Sequence, residues 1–221
     1  MTALRFPRGL YGVTPEWDDT DRLLRAVRQA AAGGMRSLQL RRKDVPAAAR
    51  REQAVALARI CRELGVVFLV NDHWELALEV GADGVHLGRD DGDLARVRSQ
   101  APDLIIGASC YDDIERARDM LDAGADYIAF GAVFPSPTKP AAVRAPLDLF
   151  ARARELAGSR AAPRPAVVAI GGITPANAGL VAQAGADAIA VITGVFEAAD
   201  VGRAAMECTR PFLPPRTDAP D

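Results

Sequence analysis

Lysine is almost absent from this sequence. Of 27 basic residues only two are lysine, Lys43 and Lys139, and both stand in short polar loops just after strand-like apolar runs. Where solvated charge has drifted to arginine, a retained lysine marks a place for a compact, mobile ammonium, and phosphate neutralisation in a tight site is such a place. Histidine is equally scarce. His73 and His86 are the only two, so acid–base work by imidazole has few options, and no Ser-His-Asp or Cys-His arrangement is evident. The cysteines Cys61, Cys110 and Cys208 are odd in number, widely spaced and without a Cys-x-x-Cys pair. That argues against disulfides and zinc and reads them as small buried residues.

Aromatic residues make up 5% of the chain, and Trp17 and Trp74 are read as packing residues rather than a stacking platform, so nucleic acid is not an expected partner. A formal net charge of -2 gives no pull toward nucleic acid or an anionic membrane surface. Any anion must therefore be held locally. No apolar run approaches the roughly 20 residues that span a bilayer, and residues 1–7 lack the apolar core of a signal peptide. The expectation is a cytoplasmic protein acting on small molecules.

What is present is a repeated joint. Gly81-Ala82-Asp83, Gly124-Ala125-Asp126 and Gly185-Ala186-Asp187 each follow a helical stretch and lead into four or five apolar residues. Glycine there supplies a helix C-cap, Ala-Asp makes the turn, and the continuous apolar run is a strand buried on both faces of a parallel sheet. Looser versions run over 33–40 and 65–70, strands at 104–107 and 166–170 follow Pro-containing loops, and 10–13 completes a set of eight. Helical periodicity fills the intervals at 21–32, 47–64, 114–123 and 146–156. Eight strands alternating with helices in 221 residues predict an α/β fold, a single-domain (β/α)8 TIM barrel over residues 1–210, with an open doubly wound sheet as the alternative. Residues 211–221, with four prolines, are expected to be a disordered or loosely packed tail.

In such a barrel the site is built from loops after the strands, and the chemistry of the sequence gathers there. Gln39, Arg41 and Lys43 follow strand two, and Asn71 and Asp72 follow strand three. Arg89, Asp90 and Asp91 follow strand four, Ser109 strand five, and Ser136, Thr138 and Lys139 strand six. Gly171 and Gly172 end strand seven; Ile192, Thr193 and Gly194 end strand eight. The glycines after strands seven and eight suit a phosphomonoester held on backbone N–H groups. Arg41, Lys43 and Lys139, with the hydroxyls of Ser136 and Thr138, add more positive charge than one monoester needs, and a diphosphate fits them better. Asp72 and Asp91 offer hard oxygen ligands without a complete cage, which suits Mg2+ that keeps water and takes substrate phosphate oxygens. The competing reading is that Asp91, before Gly92, caps the next helix; Asp90 is read as a solvated neighbour or cap. His86 is read as a barrel-interior histidine, and His73 as the start of a helix.

These motifs, in order, resemble the thiamine-phosphate synthase family. The likeness runs from Leu10-Tyr11-Gly12-Val13-Thr14 to Thr193-Gly194. It takes in Gln39-Leu40-Arg41-Arg42-Lys43, Asn71-Asp72, Gly84-Val85-His86-Leu87-Gly88, Asp91, Gly107-Ala108-Ser109, Ser136-Pro137-Thr138-Lys139-Pro140 and Ile170-Gly171-Gly172-Ile173. The resemblance implies a Mg2+-dependent transferase of thiamine biosynthesis. It would join 4-amino-2-methyl-5-hydroxymethylpyrimidine diphosphate to 4-methyl-5-(2-hydroxyethyl)thiazole phosphate, dissociatively and without a strong general base. It implies that Asp72 and Asp91 bind Mg2+, and that Arg41, Lys43, Asn71 and Lys139 hold the diphosphate. Gln39 and Ser109 would contact the pyrimidine; Ser136, Thr138, Gly172, Ile192 and Thr193 would receive the thiazole phosphate. Lys139 and Ser109 stand as the catalytic pair.

Three positions depart from the family pattern: Arg89 stands where Gln is usual, and Ser136 and Thr193 where Thr and Ser are usual. The hydroxyl exchanges are mild, whereas Arg89 puts a cation beside the proposed metal site. A thiazole tautomerase or a non-catalytic binder of thiamine phosphate are the alternatives; the retained Lys43, Asp72, Asp91 and Lys139 count against the first. The helices of the barrel are compatible with solvent or with pairing in a homo-oligomer.

Overall fold

The computed structural model describes residues 3–89, 92–136 and 143–214. Eight parallel strands close into a barrel in sequence order: β1 (Gly9–Val13), β2 (Ser37–Leu40), β3 (Val67–Asn71), β4 (Gly84–Leu87), β5 (Ile105–Tyr111), β6 (Tyr127–Phe130), β7 (Ala166–Ile170) and β8 (Ala188–Val191). Leu10 of β1 lies beside Ile189 of β8, which seals the ring. Helices α1 (Thr20–Ala32), α2 (Ala47–Leu64), α3 (Trp74–Val80), α4 (Leu94–Gln100), α5 (Ile114–Asp122), α6 (Leu149–Gly158) and α7 (Ala178–Ala184) connect the strands, and α8 (Thr193–Phe196) and α9 (Val201–Thr209) follow β8. The single-domain TIM barrel read from the sequence is the fold observed, and the open sheet is excluded.

Alternation along each strand divides the core in two. Leu10, Leu38, Phe68, Val85, Ile106, Ile128, Val167 and Ile189 face the helices, while Phe6, Tyr11, Leu69, Tyr127, Ala129, Val168 and Ala188 fill the barrel. This period of two also aims Gln39, Asn71, His86 and Ser109 inward at the carboxyl ends of their strands. The interior is asymmetric in size. Gly107 lies where a Cβ would enter the Tyr127 ring, so the missing side chain on β5 makes room for the phenol on β6.

The repeated joint does more than turn the chain. Gly81 and Gly185 are left-handed C-caps as expected, but each aspartate reaches back to the first part of the preceding strand. Asp83 accepts the Phe68 N–H at 2.7 Å, Asp126 the Ile106 N–H at 2.9 Å, and Asp187 the Val167 N–H at 3.0 Å. Asp187 is fully buried and bonded by both Nη atoms of Arg164, at 2.8 and 2.9 Å. Asp126 is held by Arg98 and Arg5. The amino-terminal face of the barrel is thus bolted with charge-assisted bonds.

Three sequence expectations shift. The α4 cap is Asp93, which accepts the Ala95 N–H at 3.0 Å, so the competing reading of Asp91 as that cap is the one that falls. Helix α6 starts at Leu149, three residues after the expected position, because Pro146 and Leu147 are spent in the turn leading into it. Phe212 is buried in a short 3-10 turn, Arg210–Phe212, and sits under Gly9. The packed unit therefore passes the expected boundary at residue 210; residues 215–221 lie outside the described residues.

Candidate active site

A cavity of about 400 Å³ opens at the carboxyl ends of the strands, within the size range of small-molecule sites. Gln39, Arg41, Lys43, Asn71, Asp72, His86, Ser109, Ser136, Gly171, Gly172, Ile192 and Thr193 all line it. The structure thus gathers at one mouth every assigned residue that it describes. Asp90, Asp91, Thr138 and Lys139 lie outside the described residues.

On one side the loop after β2 carries the cations. Arg41 is fastened by its backbone N–H, which donates to the buried Thr14 Oγ1 at 2.9 Å, and its guanidinium meets Glu16 Oε1 at 2.9 Å. Between the two assigned cations sits Arg42, buried and turned away. It donates to the Trp17 carbonyl and to Asp18 Oδ1, while Arg50 ties down the carbonyls of Arg42, Lys43 and Val45. The middle arginine of the Arg-Arg-Lys run is an anchor, and its neighbours are thereby presented to the cavity.

Lys43 Nζ lies 3.0 Å from Asp72 Oδ2. Asp72 has φ of 65° and is the centre of a three-residue turn, the His73 N–H donating to the Asn71 carbonyl at 2.8 Å. Left-handed backbone at a non-glycine residue is strained and held by its surroundings; here the Asp72 N–H donates to the His86 carbonyl at 2.9 Å. His73 is the N-cap residue of α3, as expected. Asn71 Oδ1 accepts from Gln39 Nε2 at 3.0 Å in a buried pair, and both residues line the cavity.

At the back of the cavity His86 is the barrel-interior histidine foreseen, with both ring nitrogens engaged: Nδ1 to Tyr127 Oη at 2.9 Å and Nε2 to Ser109 Oγ at 2.8 Å. Ser109 lies at a register shift in β5. Its carbonyl accepts from Arg116 Nε at 2.8 Å, and Arg116 Nη2 reaches the Gly88 carbonyl at 3.4 Å. The shift leaves Tyr111 with φ of 57° against the cavity wall, and the Arg89 guanidinium lies over its ring, 4.9 Å from the centroid. Arg42, Arg116, Glu16 and Tyr111 were not singled out from sequence. Only the Arg-Arg-Lys spacing hinted at one of them.

On the far side the loops after β7 and β8 present backbone. Gly172 has φ of 65°, and a Cβ there would strike the carbonyls of Phe134 and Pro135, so the close approach of the β6 and β7 loops requires glycine. Asn177 fixes this loop by donating to the Gly172 carbonyl at 3.0 Å and accepting the Thr174 N–H at 2.8 Å. Nucleophilic cysteine is excluded nearby. Burial pushes the Cys110 thiol up to about 12, as it does those of Cys61 and Cys208, and such thiols hold almost no thiolate at neutral pH.

Residues 10–195 match the family model for thiamine monophosphate synthase. The chain belongs to this family. It is 67% identical over 218 residues to the thiamine-phosphate synthase of Bordetella avium, covering 99% of this chain and 100% of that one. It is also 56% identical over 198 residues to the thiamine-phosphate synthase of Chromobacterium violaceum, at 89% and 92% coverage. Among solved structures, the thiamine phosphate pyrophosphorylase of Pyrococcus furiosus superposes with a TM-score of 0.77 at 37% identity, covering 92% of this chain and 95% of that one. The family resemblance read from the loop motifs and the cavity found in the fold therefore coincide. No helix among the described residues is long and apolar enough to cross a membrane.

Proposed function

We propose that this cavity makes thiamine phosphate: the pyrimidine diphosphate loses diphosphate and the nitrogen of the thiazole phosphate attacks the resulting methylene cation. The observation that supports the reading is that cationic and amide side chains and the loops after β6, β7 and β8 line the same cavity. Arg41, Lys43 and Asn71 come from the ends of β2 and β3; Ser136, Gly172, Ile192 and Thr193 come from the loops after β6, β7 and β8. Two phosphorylated substrates need two such groups of residues, whereas an isomerase of one phosphate does not. In this reading Gln39 and Ser109, which also line the cavity, would contact the pyrimidine ring. No strong base is called for, in keeping with a cavity whose histidine is already bonded at both nitrogens.

Asp72 fits the Mg2+ assignment. It is a carboxylate at the cavity edge, held by its strained backbone and already facing a cation; with Asp91 it would hold the ion, which keeps the rest of its shell for water and phosphate oxygens. When bound, Mg2+ supplies counter-charge to the departing diphosphate. The residues of the chain do the remainder. Arg41, Lys43 and Lys139 neutralise the leaving group as its charge grows, and the apolar wall of Val13, Ala129, Ile170 and Ala190 keeps water from the cation. We place this transferase in the cytoplasm, a reading supported by three buried free cysteines.

The test is formation of thiamine phosphate by purified protein given both substrates, with Mg2+ and with EDTA. Product that requires Mg2+ is the expected result. Binding of the thiazole phosphate without turnover would instead assign a tautomerase or a sensor.

A further inference from the structure

A line of hydrogen bonds runs through the barrel to the cavity, and the proposed reaction uses only its last member. Tyr11 Oη lies 2.9 Å from Tyr127 Oη, Tyr127 Oη 2.9 Å from His86 Nδ1, and His86 Nε2 2.8 Å from Ser109 Oγ. Both tyrosines are buried. Phe6 stacks on the Tyr127 ring at 4.3 Å and meets the Tyr11 ring edge-on at 5.0 Å, and the imidazole lies nearly parallel to the Tyr127 ring. The line is caged by rings at its inner end and reaches the cavity at His86 and Ser109.

Each hydroxyl has one proton to give, so the line has a direction. If Ser109 donated inward, His86 Nδ1–H would donate to Tyr127 and Tyr127 to Tyr11. The Tyr11 proton would then end among aromatic rings, since Tyr127 is the only hydrogen-bond partner of its hydroxyl among the described residues. A buried donor without an acceptor is the costly arrangement. Run outward, the accounting closes: Tyr11 donates to Tyr127, Tyr127 to Nδ1, and Nε2–H to Ser109. Burial holds both phenols well above their usual range, so neither sends its proton elsewhere.

We propose that His86, fixed as its Nε2–H tautomer by Tyr127 and Tyr11, is a positioning residue that makes Ser109 Oγ a dedicated hydrogen-bond donor into the cavity. The inference rests on the reading of Ser109 as a pyrimidine contact. It adds that the Ser109 proton is left for a substrate acceptor, such as a ring nitrogen. Arg116, gripping the Ser109 carbonyl, fixes the backbone from which that donor is aimed.

The deciding measurement is long-range 1H–15N correlation of the two histidine rings in the full-length protein, with His73→Gln identifying His86. An Nε2–H ring with an unprotonated Nδ1 is expected; a neutral Nδ1–H ring, or an imidazolium, overturns the proposal. Tyr127→Phe should mix the tautomers and lower kcat about tenfold with KM for the thiazole phosphate unchanged, the size expected for one misdirected hydrogen bond. His86→Gln, whose amide can still donate to Ser109, should stay within about threefold of wild type, while His86→Leu should fall as far as Ser109→Ala. Equal losses in His86→Gln and His86→Leu would reject the positioning role. Because the ring spectrum needs no turnover, it separates failure of this inference from failure of the proposed reaction.

Discussion

Lys43 and Asp72 neutralise one another across the rim of β2 and β3, 3.0 Å apart. One is assigned to a diphosphate and the other to a cation, so each already holds the kind of charge its ligand carries. A magnesium diphosphate brings both signs and can replace both partners together. Free diphosphate meets Lys43 screened by a carboxylate.

It follows that Asp72→Asn separates metal from anion. Without Mg2+ the variant should bind inorganic diphosphate about tenfold more tightly than wild type, as expected for removing a near carboxylate from a partly buried site. With Mg2+ its activation should be lost. Calorimetric titration of diphosphate in EDTA and in Mg2+ measures both, and unchanged affinities would detach Asp72 from the metal.

Glu16 holds Arg41 at 2.9 Å, and its side chain is 43% exposed. It occupies the guanidinium that the diphosphate is to use. Exposed pairs are worth at most about 1 kcal/mol, so Glu16→Gln should tighten diphosphate binding by up to roughly fivefold and deepen product inhibition accordingly. Weaker binding would mean that Glu16 orients Arg41 rather than competing for it.

Asp187 has no exposed surface and accepts from Arg164 and the Val167 N–H. Asp187→Ala strands a buried guanidinium and should cost about 3–5 kcal/mol in chemical denaturation. Its position on the amino-terminal face predicts that the folded fraction keeps its KM for both substrates. A raised KM with unchanged stability would contradict this.

Alkali should destabilise the protein through its thiols. Burial raises Cys61, Cys110 and Cys208 from 9.0 to about 12. Between those limits the unfolded chain has released protons that the folded one retains, so stability falls with rising pH. The contribution is complete below pH 9 and lost toward pH 12. Denaturation midpoints from pH 8 to 11 should decline, and a Cys61→Ala, Cys110→Ala, Cys208→Ala variant should decline less steeply.

The barrel was legible because its signals are local. A helix ending in Gly-Ala-Asp before a continuous apolar run states its own boundaries, and α2 begins and ends at the residues where its periodicity does. The cavity residues were legible because strand ends converge in this fold. What escaped were relations set by tertiary neighbours. Arg42 looks like Arg41 in sequence, and only the placement of Trp17 and Asp18 makes it an anchor. The joint aspartates read as turn residues because the N–H groups they accept lie on the preceding strand. The cap of α4 went to Asp93, which was not singled out from sequence, because it directly precedes Leu94, the first helical residue.

Those aspartates separate two kinds of evolutionary freedom. Each ties a strand to its neighbour at the amino-terminal face, so closure of the ring draws little on the loops at the opposite face. Substitutions around the cavity, at Arg89 for example, can therefore be made without loosening the scaffold. Lineages can retune the chemistry at the mouth while inheriting the same bolted base.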